Sequence, residues 1–323
     1  MSDLYSRHNA TLAKAVEACE QRYSWTAYPE SPSSKIHGTE KPVAGKARFE
    51  ALLGKDYVLA QPGEIGRTGA EISPYTREPL GITYPRVDVE VLYTEILRAM
   101  PTWQRTSPRT RIGVCLEILD RCAGQLFENA HATMHTSGQS YIMAFAGSGA
   151  NALDRGLEAL AYAHKAMADV PVSARWERQF GKGGAARLEK QYRLMPRGVG
   201  VVICCATFPL WNAYPALCAS LATGNPVVLK PHPSAILPVA MLATVARDVL
   251  AEAGFDPNLV TLVADTREQP ATLSLLQHPA TAIVDFTGSP KFGEWIERNC
   301  SDKLVYTETA GCNSVVIEST DDL

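Results

Sequence analysis

The sequence lacks the features that would indicate nucleic-acid binding, a membrane span or secretion. Its 31 lysine and arginine residues are balanced by 34 aspartate and glutamate residues, so no broad basic surface is expected. No apolar run is long enough to span a bilayer. Charged residues interrupt the first 22 positions, unlike in a secretory signal. We therefore expect a cytoplasmic protein whose partners are neither nucleic acid nor a membrane.

Cysteine motifs are also absent. The eight cysteines include no Cys-x-x-Cys pair, and the one adjacent pair, Cys204 and Cys205, lies in an apolar run. In a chain of this length and class, that pattern argues against a disulfide framework and against a zinc site. We expect buried, reduced thiols that act as small hydrophobic side chains, and no bound metal.

Helical periodicity is missing from residues 29–85, which contain seven prolines and seven glycines. This composition predicts an irregular arm that wraps another surface. Before the arm, Leu12, Val16 and Cys19 recur at helical spacing and predict a helix over residues 4–23. The expected organisation is an N-terminal helix and arm over residues 1–90, followed by a second unit over residues 91–323.

Residues 89–168 have the apolar spacing of helices, and Ser107 followed by Pro108 is a typical helix start. A weak strand is predicted over residues 189–195, and strands and helices then alternate. The predicted strands are residues 199–203, 226–230, 259–264, 282–286, 304–307 and 314–317. Because these runs are apolar and separated by short helices, they predict a doubly wound parallel sheet with helices on both faces. Such sheets bind ligands at the carboxyl ends of their strands.

No G-x-G-x-x-G fingerprint follows the first of these strands, where residues 204–209 read Cys-Cys-Ala-Thr-Phe-Pro. A better phosphate candidate is the turn in which Gly288 ends a strand, Ser289 can cap a helix and Pro290 fits its first position. Free N–H groups at such a helix start would face an anion. An ordinary capped helix with a solvated Lys291 is the alternative, and the local sequence alone favours it.

Two charged residues stand at predicted strand ends. Lys230 could donate hydrogen bonds to ribose hydroxyls or a phosphate, or could extend its ammonium group to solvent. Glu308 could act as a general base in a buried setting, or could be a solvated glutamate, which the residues alone favour. Both pairs of alternatives stay open on these residues alone.

Four segments, in the same order and at similar spacing, resemble motifs of the aldehyde dehydrogenase family. Residues 198–210 resemble G-V-V-G-x-I-x-P-W-N-F-P-L, and residues 221–231 resemble A-L-A-A-G-N-T-V-V-L-K-P. Residues 278–293 resemble H-P-x-V-x-x-I-x-F-T-G-S-x-x-x-G, and residues 308–311 fall where the family has E-L-G-G. The resemblance is clear from about residue 193 onward and weaker over residues 109–168. Within the family, the arm and residues 310–316 are most similar to phenylacetic-acid-degradation proteins.

This resemblance implies a Rossmann-type α/β fold and the oxidation of an aldehyde to a carboxylic acid, with NAD or NADP as the acceptor. In the family a cysteine thiolate attacks the aldehyde, hydride passes to the cofactor, and a glutamate activates water. By motif position Glu308 is that general base and Lys230 holds the adenosine ribose. Gly288 and Ser289 start the helix at the pyrophosphate. The other expected cofactor contacts are Ile203, Pro233, Gly293 and Thr309.

Three positions depart from the family pattern. Thr207 replaces the asparagine that donates to the oxyanion, and its shorter, rotating hydroxyl is the candidate donor in its place. Pro233 replaces an acidic residue that would hold ribose hydroxyls and repel a 2′-phosphate. Residues 265–267 replace the usual glycines after the third strand, and Arg267 among them could approach a 2′-phosphate. The last two departures favour NADP slightly over NAD.

The nucleophilic cysteine of the family has no match in this sequence. Cys300 precedes Glu308, and Cys312 follows it too closely. Residues 319–322 look like the start of a helix, and only Leu323 follows them. We therefore expect this chain to be the cofactor-binding portion of such an enzyme, truncated before the catalytic domain and inactive by itself.

The expected substrate of the full-length protein is an aldehyde from phenylacetate or other aromatic catabolism, and a CoA-linked aldehyde is one form that it could take. The full-length protein is expected to be a homo-oligomer. Two other functions stay open. One is a non-catalytic nucleotide-binding or assembly module, and the other is a CoA-acylating aldehyde dehydrogenase, in which thiolysis replaces attack by water.

Overall fold

The computed structural model describes residues 3–311, 314–319 and 321. The chain opens with helix α1 (Leu4–Gln21), as the sequence predicts, and the Asp3 side chain caps it by accepting a hydrogen bond from the Ser6 N–H. Leu12 and Ala15 are buried on its inner face. Helix α1 is therefore fixed to the body of the protein by an apolar stripe.

The arm that follows is more regular than predicted. It contains helices α2 (Ser34–His37) and α3 (Glu40–Glu50) and the antiparallel strands β1 (Glu64–Thr68) and β2 (Tyr84–Val87). Pro42 lies in the first turn of α3, where a missing N–H removes no helical hydrogen bond. Gly45 allows close packing, because an added Cβ there would lie 2.4 Å from the Cβ of Phe127. The prediction of an irregular arm was wrong for α3, since neither residue type breaks a helix at these positions.

The predicted helical region is confirmed. It comprises α4 (Val89–Arg105), α5 (Pro108–Gly124), α6 (Leu126–Ser137), α7 (Tyr141–Phe145) and α8 (Ala152–Ala168). A π-helical turn over Ala146–Asn151 joins the last two. Ser107 caps α5 as expected, because its hydroxyl accepts a hydrogen bond of 3.1 Å from the Thr110 N–H.

A solvent-exposed hairpin comes next. Strand β3 (Ser173–Gln179) pairs antiparallel with β4 (Ala185–Gln191). The strand predicted over residues 189–195 overlaps β4 but is placed too late at both ends. Strand β3, which pairs with β4, was not predicted. Both strands are largely exposed, so they carry little of the apolar pattern by which a strand is recognised in a sequence.

A five-stranded parallel sheet forms the rest of the fold, as expected. Its strands are β5 (Val199–Ile203), β6 (Val227–Lys230), β7 (Val260–Leu262), β8 (Thr281–Gly288) and β9 (Leu304–Thr309), in the spatial order β7-β6-β5-β8-β9. The helices between them are α9 (Ala213–Ala222), α10 (Leu237–Glu252), α11 (Thr272–Gln277) and α12 (Pro290–Asn299). The strand predicted over residues 314–317 is not formed. Its β-branched residues are exposed and have no paired strand among the described residues, and a strand is stable only when a neighbour completes its hydrogen bonds.

The sheet is covered on both faces, which confirms the predicted fold class. Successive residues of β5 point to opposite sides: Val202 packs in the core with α8, α9 and α10, whereas Val201 packs with α4, α11 and α12. None of the helices in the described part of the chain has the length and apolar character needed to cross a membrane.

The arm closes one edge of the sheet. The side-chain amide of Gln61 accepts a hydrogen bond from the Leu262 N–H (3.0 Å) and donates one to the Leu262 carbonyl (2.7 Å). Tyr57 shares a hydrogen bond of 2.9 Å with Thr244 on α10. The arm therefore packs on the sheet domain through specific polar contacts as well as through the core.

Candidate cofactor-binding and active site

The strand order creates a switch point between β5 and β8. From β5 the chain proceeds to β6 on one side, and after β7 it crosses to β8 on the other. At the carboxyl end Ile203 lies in register with both Lys230 of β6 and Phe286 of β8. In open α/β sheets a ligand binds in the crevice at such a point. The predicted cofactor residues Ile203, Lys230 and Gly288 thus lie at one edge of one sheet.

Lys230 is buried in an ion pair at this edge. Its Nζ lies 2.7 Å from Oδ1 of Asp265 and donates to the Pro231 carbonyl at 2.6 Å, and both charged side chains are only 3% exposed. The other oxygen of Asp265 accepts a hydrogen bond of 2.8 Å from the Ala271 N–H. From the sequence, Asp265 was noted only as one of the residues that replace the usual glycines after the third strand. The available signal was an acidic residue just beyond a strand predicted to lie beside that of Lys230.

The loop after β6 surrounds this pair. His232 and Pro233 are half-buried there, and the Nδ1 atom of His232 accepts a hydrogen bond of 3.2 Å from the Ser234 N–H. Burial lowers the pKa of His232, and the positive charges of Lys230 and Arg267 lower it further. We therefore expect His232 to be neutral near pH 7.

The turn between β8 and α12 matches the predicted anion site in outline. Gly288 ends the strand and Ser289 is the N-cap of α12, but the Ser289 side chain makes no capping hydrogen bond among the described residues. Pro290 occupies the first helical position. The N–H groups at this helix start therefore have no side-chain partner in the described part of the chain.

Gly293 and Thr309, predicted from separate motifs, meet in the structure. Gly293 is buried on α12, and a Cβ added there would lie 2.6 Å from Cγ2 of Thr309 at the end of β9. Phe286 lies on the same side, at 3.4 Å from that Cβ position. The glycine lets α12 approach the sheet closely beside the predicted pyrophosphate position.

Glu308 projects from the end of β9 beside Thr287 of β8. The two residues are register partners, and the Thr287 hydroxyl donates to Oε2 of Glu308 at 3.4 Å. The carboxylate is exposed rather than buried, so the described residues do not provide the buried setting that the general-base role assumed.

A second carboxyl group, Asp285, lies close to Glu308 and was not predicted. Together with Asn212 and Tyr306, these two acids line a cavity of about 580 Å³ between α8, α9 and the sheet. Burial raises the pKa of Asp285 to about 6, a hydrogen bond with Asn212 opposes that shift, and the charge of Glu308 adds to it. An acidic residue in the middle of an otherwise apolar strand was the signal that could have revealed it.

Thr207 lies on the loop that follows β5 and is exposed. Its carbonyl accepts a hydrogen bond from the Gln139 side chain, which also donates to the Ser148 hydroxyl at 2.9 Å. Among the described residues, the one hydrogen bond of the Thr207 hydroxyl is donated to the Cys205 sulfur at 3.8 Å. Within the described residues, no hydrogen bond joins Thr207 to Glu308.

The cysteines near the site do not resemble nucleophiles. Cys204 and Cys300 are buried, and burial raises the pKa of each thiol. Cys205 is half-buried and accepts a hydrogen bond of 3.4 Å from the Phe208 N–H. Cys312 lies outside the described residues. A reactive cysteine needs an accessible, electropositive setting, which neither Cys204 nor Cys300 has.

Similarity to known proteins identifies the family of this chain. Residues 63–323 match the sequence profile of the aldehyde dehydrogenase family. The chain belongs to the aldehyde dehydrogenase family. This membership confirms the family resemblance drawn from the four motifs.

Several individual proteins are similar to this chain. The crystal structure of an NAD-dependent aldehyde dehydrogenase from Burkholderia multivorans superposes with a TM-score of 0.93 at 44% identity, over 96% of this chain and 56% of that one. The 1-pyrroline-5-carboxylate dehydrogenase 2 of Bacillus subtilis (strain 168) is 27% identical over 320 residues, which is 92% of this chain and 58% of that protein. A 1-pyrroline-5-carboxylate dehydrogenase from Thermus with bound NAD has a TM-score of 0.69 at 18% identity, covers 90% of this chain and 56% of its own, and shows the fold alone. The chain thus spans just over half the length of these relatives.

Proposed function

We propose that this chain binds NAD or NADP along the carboxyl edge of its sheet and is part of an enzyme that oxidises an aldehyde to a carboxylic acid. The observation that carries this proposal is the start of α12, which follows β8 at the switch point and has no side-chain cap from Ser289. Such a helix start offers N–H groups and a positive dipole end to a phosphate. The NAD-dependent relative from Burkholderia multivorans supports a nicotinamide cofactor.

In this proposal the residues have separate roles. Gly288 and Ser289 present backbone N–H groups to the pyrophosphate, and Lys230 lies at the adenosine ribose. The remaining cofactor contacts are Ile203, Pro233, Gly293 and Thr309. When bound, the cofactor supplies the acceptor for a hydride.

On the aldehyde side, Glu308 takes the proton from an attacking water, and Thr287 positions its carboxylate through the 3.4 Å hydrogen bond. The Thr207 hydroxyl is the proposed donor to the oxyanion. Since Cys204 and Cys300 are buried, neither is proposed as the nucleophile.

The finer statements about the whole protein are proposals as well. We propose a substrate from phenylacetate or related aromatic catabolism, CoA-linked or free, and a cytoplasmic homo-oligomer. The exposed hairpin of β3 and β4, with Trp176 39% exposed and Leu188 53% exposed, is a surface that a second subunit could cover. We also retain the proposed division into an N-terminal unit of residues 1–90 and a cofactor-binding unit of residues 91–323.

A second candidate function is a nucleotide-binding module without dehydrogenase activity. The exposure of both Glu308 and Thr207 favours it, because general bases and oxyanion donors act best where water is excluded. Both candidate functions require the cofactor site, so cofactor binding is tested first.

The variant Ser289→Asp provides that test. Aspartate is a good N-cap, so the variant should fold as well as the parent chain. Its carboxylate would occupy the N–H groups of α12 and repel a pyrophosphate. We expect titration calorimetry with NAD⁺ and NADP⁺ to show binding to the parent chain and a loss of about tenfold or more in affinity for the variant.

The matched control is Ser289→Asn, which caps the helix without a charge. It should lose much less affinity than the aspartate variant. Equal affinity of Ser289→Asp and the parent chain, or no binding of either dinucleotide to the parent, would remove the basis of the proposal. A dehydrogenase assay on aldehydes then separates an active enzyme from the nucleotide-binding module.

A further inference from the structure

The ion pair of Lys230 and Asp265 is the only buried pair of opposite full charges that the described residues place at the carboxyl edge of the sheet. Lys230 is the last residue of β6, and Asp265 lies three residues beyond the end of the neighbouring strand β7 at Leu262. The Nζ–Oδ1 distance is 2.7 Å, and each side chain is 3% exposed. A pair held this closely has no net charge to offer to a ligand.

The groups around the pair add little positive charge. His232 is half-buried, and its Nδ1 atom lies 2.8 Å from the Ser234 hydroxyl oxygen, within hydrogen-bond distance. Arg267 is exposed, so water and salt screen its charge. The Ala271 N–H fixes the orientation of the Asp265 carboxylate at 2.8 Å. The fixed charges at this end of the site are therefore one buried cation and one buried anion.

We infer that Asp265 selects the cofactor, favouring NAD⁺ over NADP⁺. This inference rests on the proposed function, in which Lys230 lies at the adenosine ribose. A carboxylate beside the ribose favours a free 2′-hydroxyl, because it can accept a hydrogen bond from the hydroxyl and cannot accept one from an ionised 2′-phosphate. Asp265 also neutralises Lys230, the buried cation that a 2′-phosphate would otherwise pair with.

The sequence alone favours NADP because Pro233 replaces an acidic residue three positions after Lys230, and because Arg267 could approach a 2′-phosphate. The structure places a carboxylate beside the same lysine from the segment that follows β7. Asp265 thus supplies, 2.7 Å from Nζ, the negative charge that position 233 lacks. Arg267 acts in the opposite direction, but its exposure makes its contribution the smaller of the two.

The ratio of the dissociation constants for NADP⁺ and NAD⁺ tests this inference. The two cofactors differ only in the 2′ substituent, and partial unfolding of a variant lowers the apparent binding of both by the same factor. The ratio therefore stays informative even if a substitution at a buried position lowers stability. Titration calorimetry of the full chain with each cofactor gives both constants.

We expect the parent chain to bind NAD⁺ about tenfold or more tightly than NADP⁺. Asp265→Asn leaves the Lys230 charge unpaired and should lower the ratio by about tenfold or more. Asp265→Glu keeps the charge and should retain the preference for NAD⁺. Glu268→Gln is the matched control. Glu268 is exposed and lies three residues after Asp265, so this substitution also removes one negative charge, but the ratio should not change.

A parent chain that prefers NADP⁺ would overturn the inference, and so would an Asp265→Asn variant with the parent's ratio. If Arg267 dominated instead, Arg267→Ala would move the ratio more than Asp265→Asn does, which also contradicts the inference. Absence of binding by both cofactors would overturn the proposed function itself and this inference with it. A changed ratio with intact NAD⁺ binding supports both.

Discussion

The carboxylate of Glu71 accepts a hydrogen bond of 2.6 Å from the backbone N–H of Ile236, at the start of α10. The same oxygen accepts a second one from the Leu237 N–H at 3.0 Å, and the Tyr84 hydroxyl donates to the other oxygen. A carboxyl group supplied by the arm therefore already occupies this helix start. The start of α12 has no such side chain among the described residues, so of these two helix starts it is the one available to an external phosphate.

Substitution of Glu71 by alanine should destabilise the protein. The change leaves the buried N–H groups of Ile236 and Leu237 without a partner, and it removes both of their hydrogen bonds to the Glu71 carboxyl group. We expect the free energy of unfolding in urea to fall by about 3 kcal/mol. Glu71→Gln keeps one oxygen that can accept from both N–H groups, so its loss of unfolding free energy should be smaller. Glu78→Gln, at an exposed position in the same arm, should stay within about 0.5 kcal/mol of the parent.

Asp285 should make stability fall as the pH rises from about 4 to about 6. Burial raises the pKa of this carboxyl from an ordinary value of 3.8 to about 6, so the folded chain binds more protons than the unfolded chain between those values. The stabilisation is present below the unfolded pKa and is lost as the pH rises through the folded one. Asp285→Asn removes this dependence and should be more stable than the parent at pH 7 by about 1–3 kcal/mol.

The difference between Asp285→Asn and the parent should shrink as the pH falls from about 6 towards 4, because the parent carboxyl becomes protonated in the folded state, and below its ordinary pKa of 3.8 it is protonated in both states. Denaturation curves at several pH values measure it. Asp302→Asn, at an exposed position, serves as the control and should follow the parent at every pH. A parallel offset between Asp285→Asn and the parent across the whole range would mean that Asp285 is not the titrating group.

Gly293→Ala should destabilise α12 even though alanine favours helix by about 1 kcal/mol. The new methyl group would lie 2.6 Å from Cγ2 of Thr309, so one of the two elements must move, at a cost of about 1–3 kcal/mol. Thr309→Ser removes that methyl group. In the Thr309→Ser background, Gly293→Ala should become neutral or stabilising in thermal denaturation, and equal effects in both backgrounds would show that the two residues do not clash.

The Lys230–Asp265 pair predicts an asymmetry between single and double substitutions. Lys230→Met leaves the Asp265 carboxylate buried without its partner and should cost about 3–5 kcal/mol. Combining Lys230→Met with Asp265→Leu removes both charges, so the double variant should be much closer in stability to the parent. Urea denaturation of the parent, both single variants and the double variant measures the coupling. Additive losses would mean that the charges do not interact across the 2.7 Å contact.

The sheet could be predicted from sequence because each buried strand carries its own signal. Residues 199–203 are apolar on both faces, and β5 has those bounds. Gly224, which has a φ of +92°, follows the C-cap of α9 at a position that favours glycine. These features are local, so neighbouring residues suffice to reveal them.

Features that depend on contacts between distant residues could not be predicted in the same way. Helix α3 tolerates Gly45 because Phe127, far along the chain, packs against it. Asp265 can pair with Lys230 only because β7 lies beside β6 in the sheet. The motifs predict that Lys230, Ser289 and Glu308 belong to the site, but the burial of Lys230 and the exposure of Glu308 depend on packing that no local pattern encodes.

Gln61 has a further consequence for the behaviour of the chain in solution. Strand β7 is the outer strand on its side of the sheet, and an outer strand with free backbone groups can pair with a strand of another molecule. The Gln61 amide uses the N–H and the carbonyl of Leu262, as a neighbouring peptide group would. A chain whose arm has been cut away by a protease would expose this edge, and we expect such a product to self-associate through β7 and aggregate.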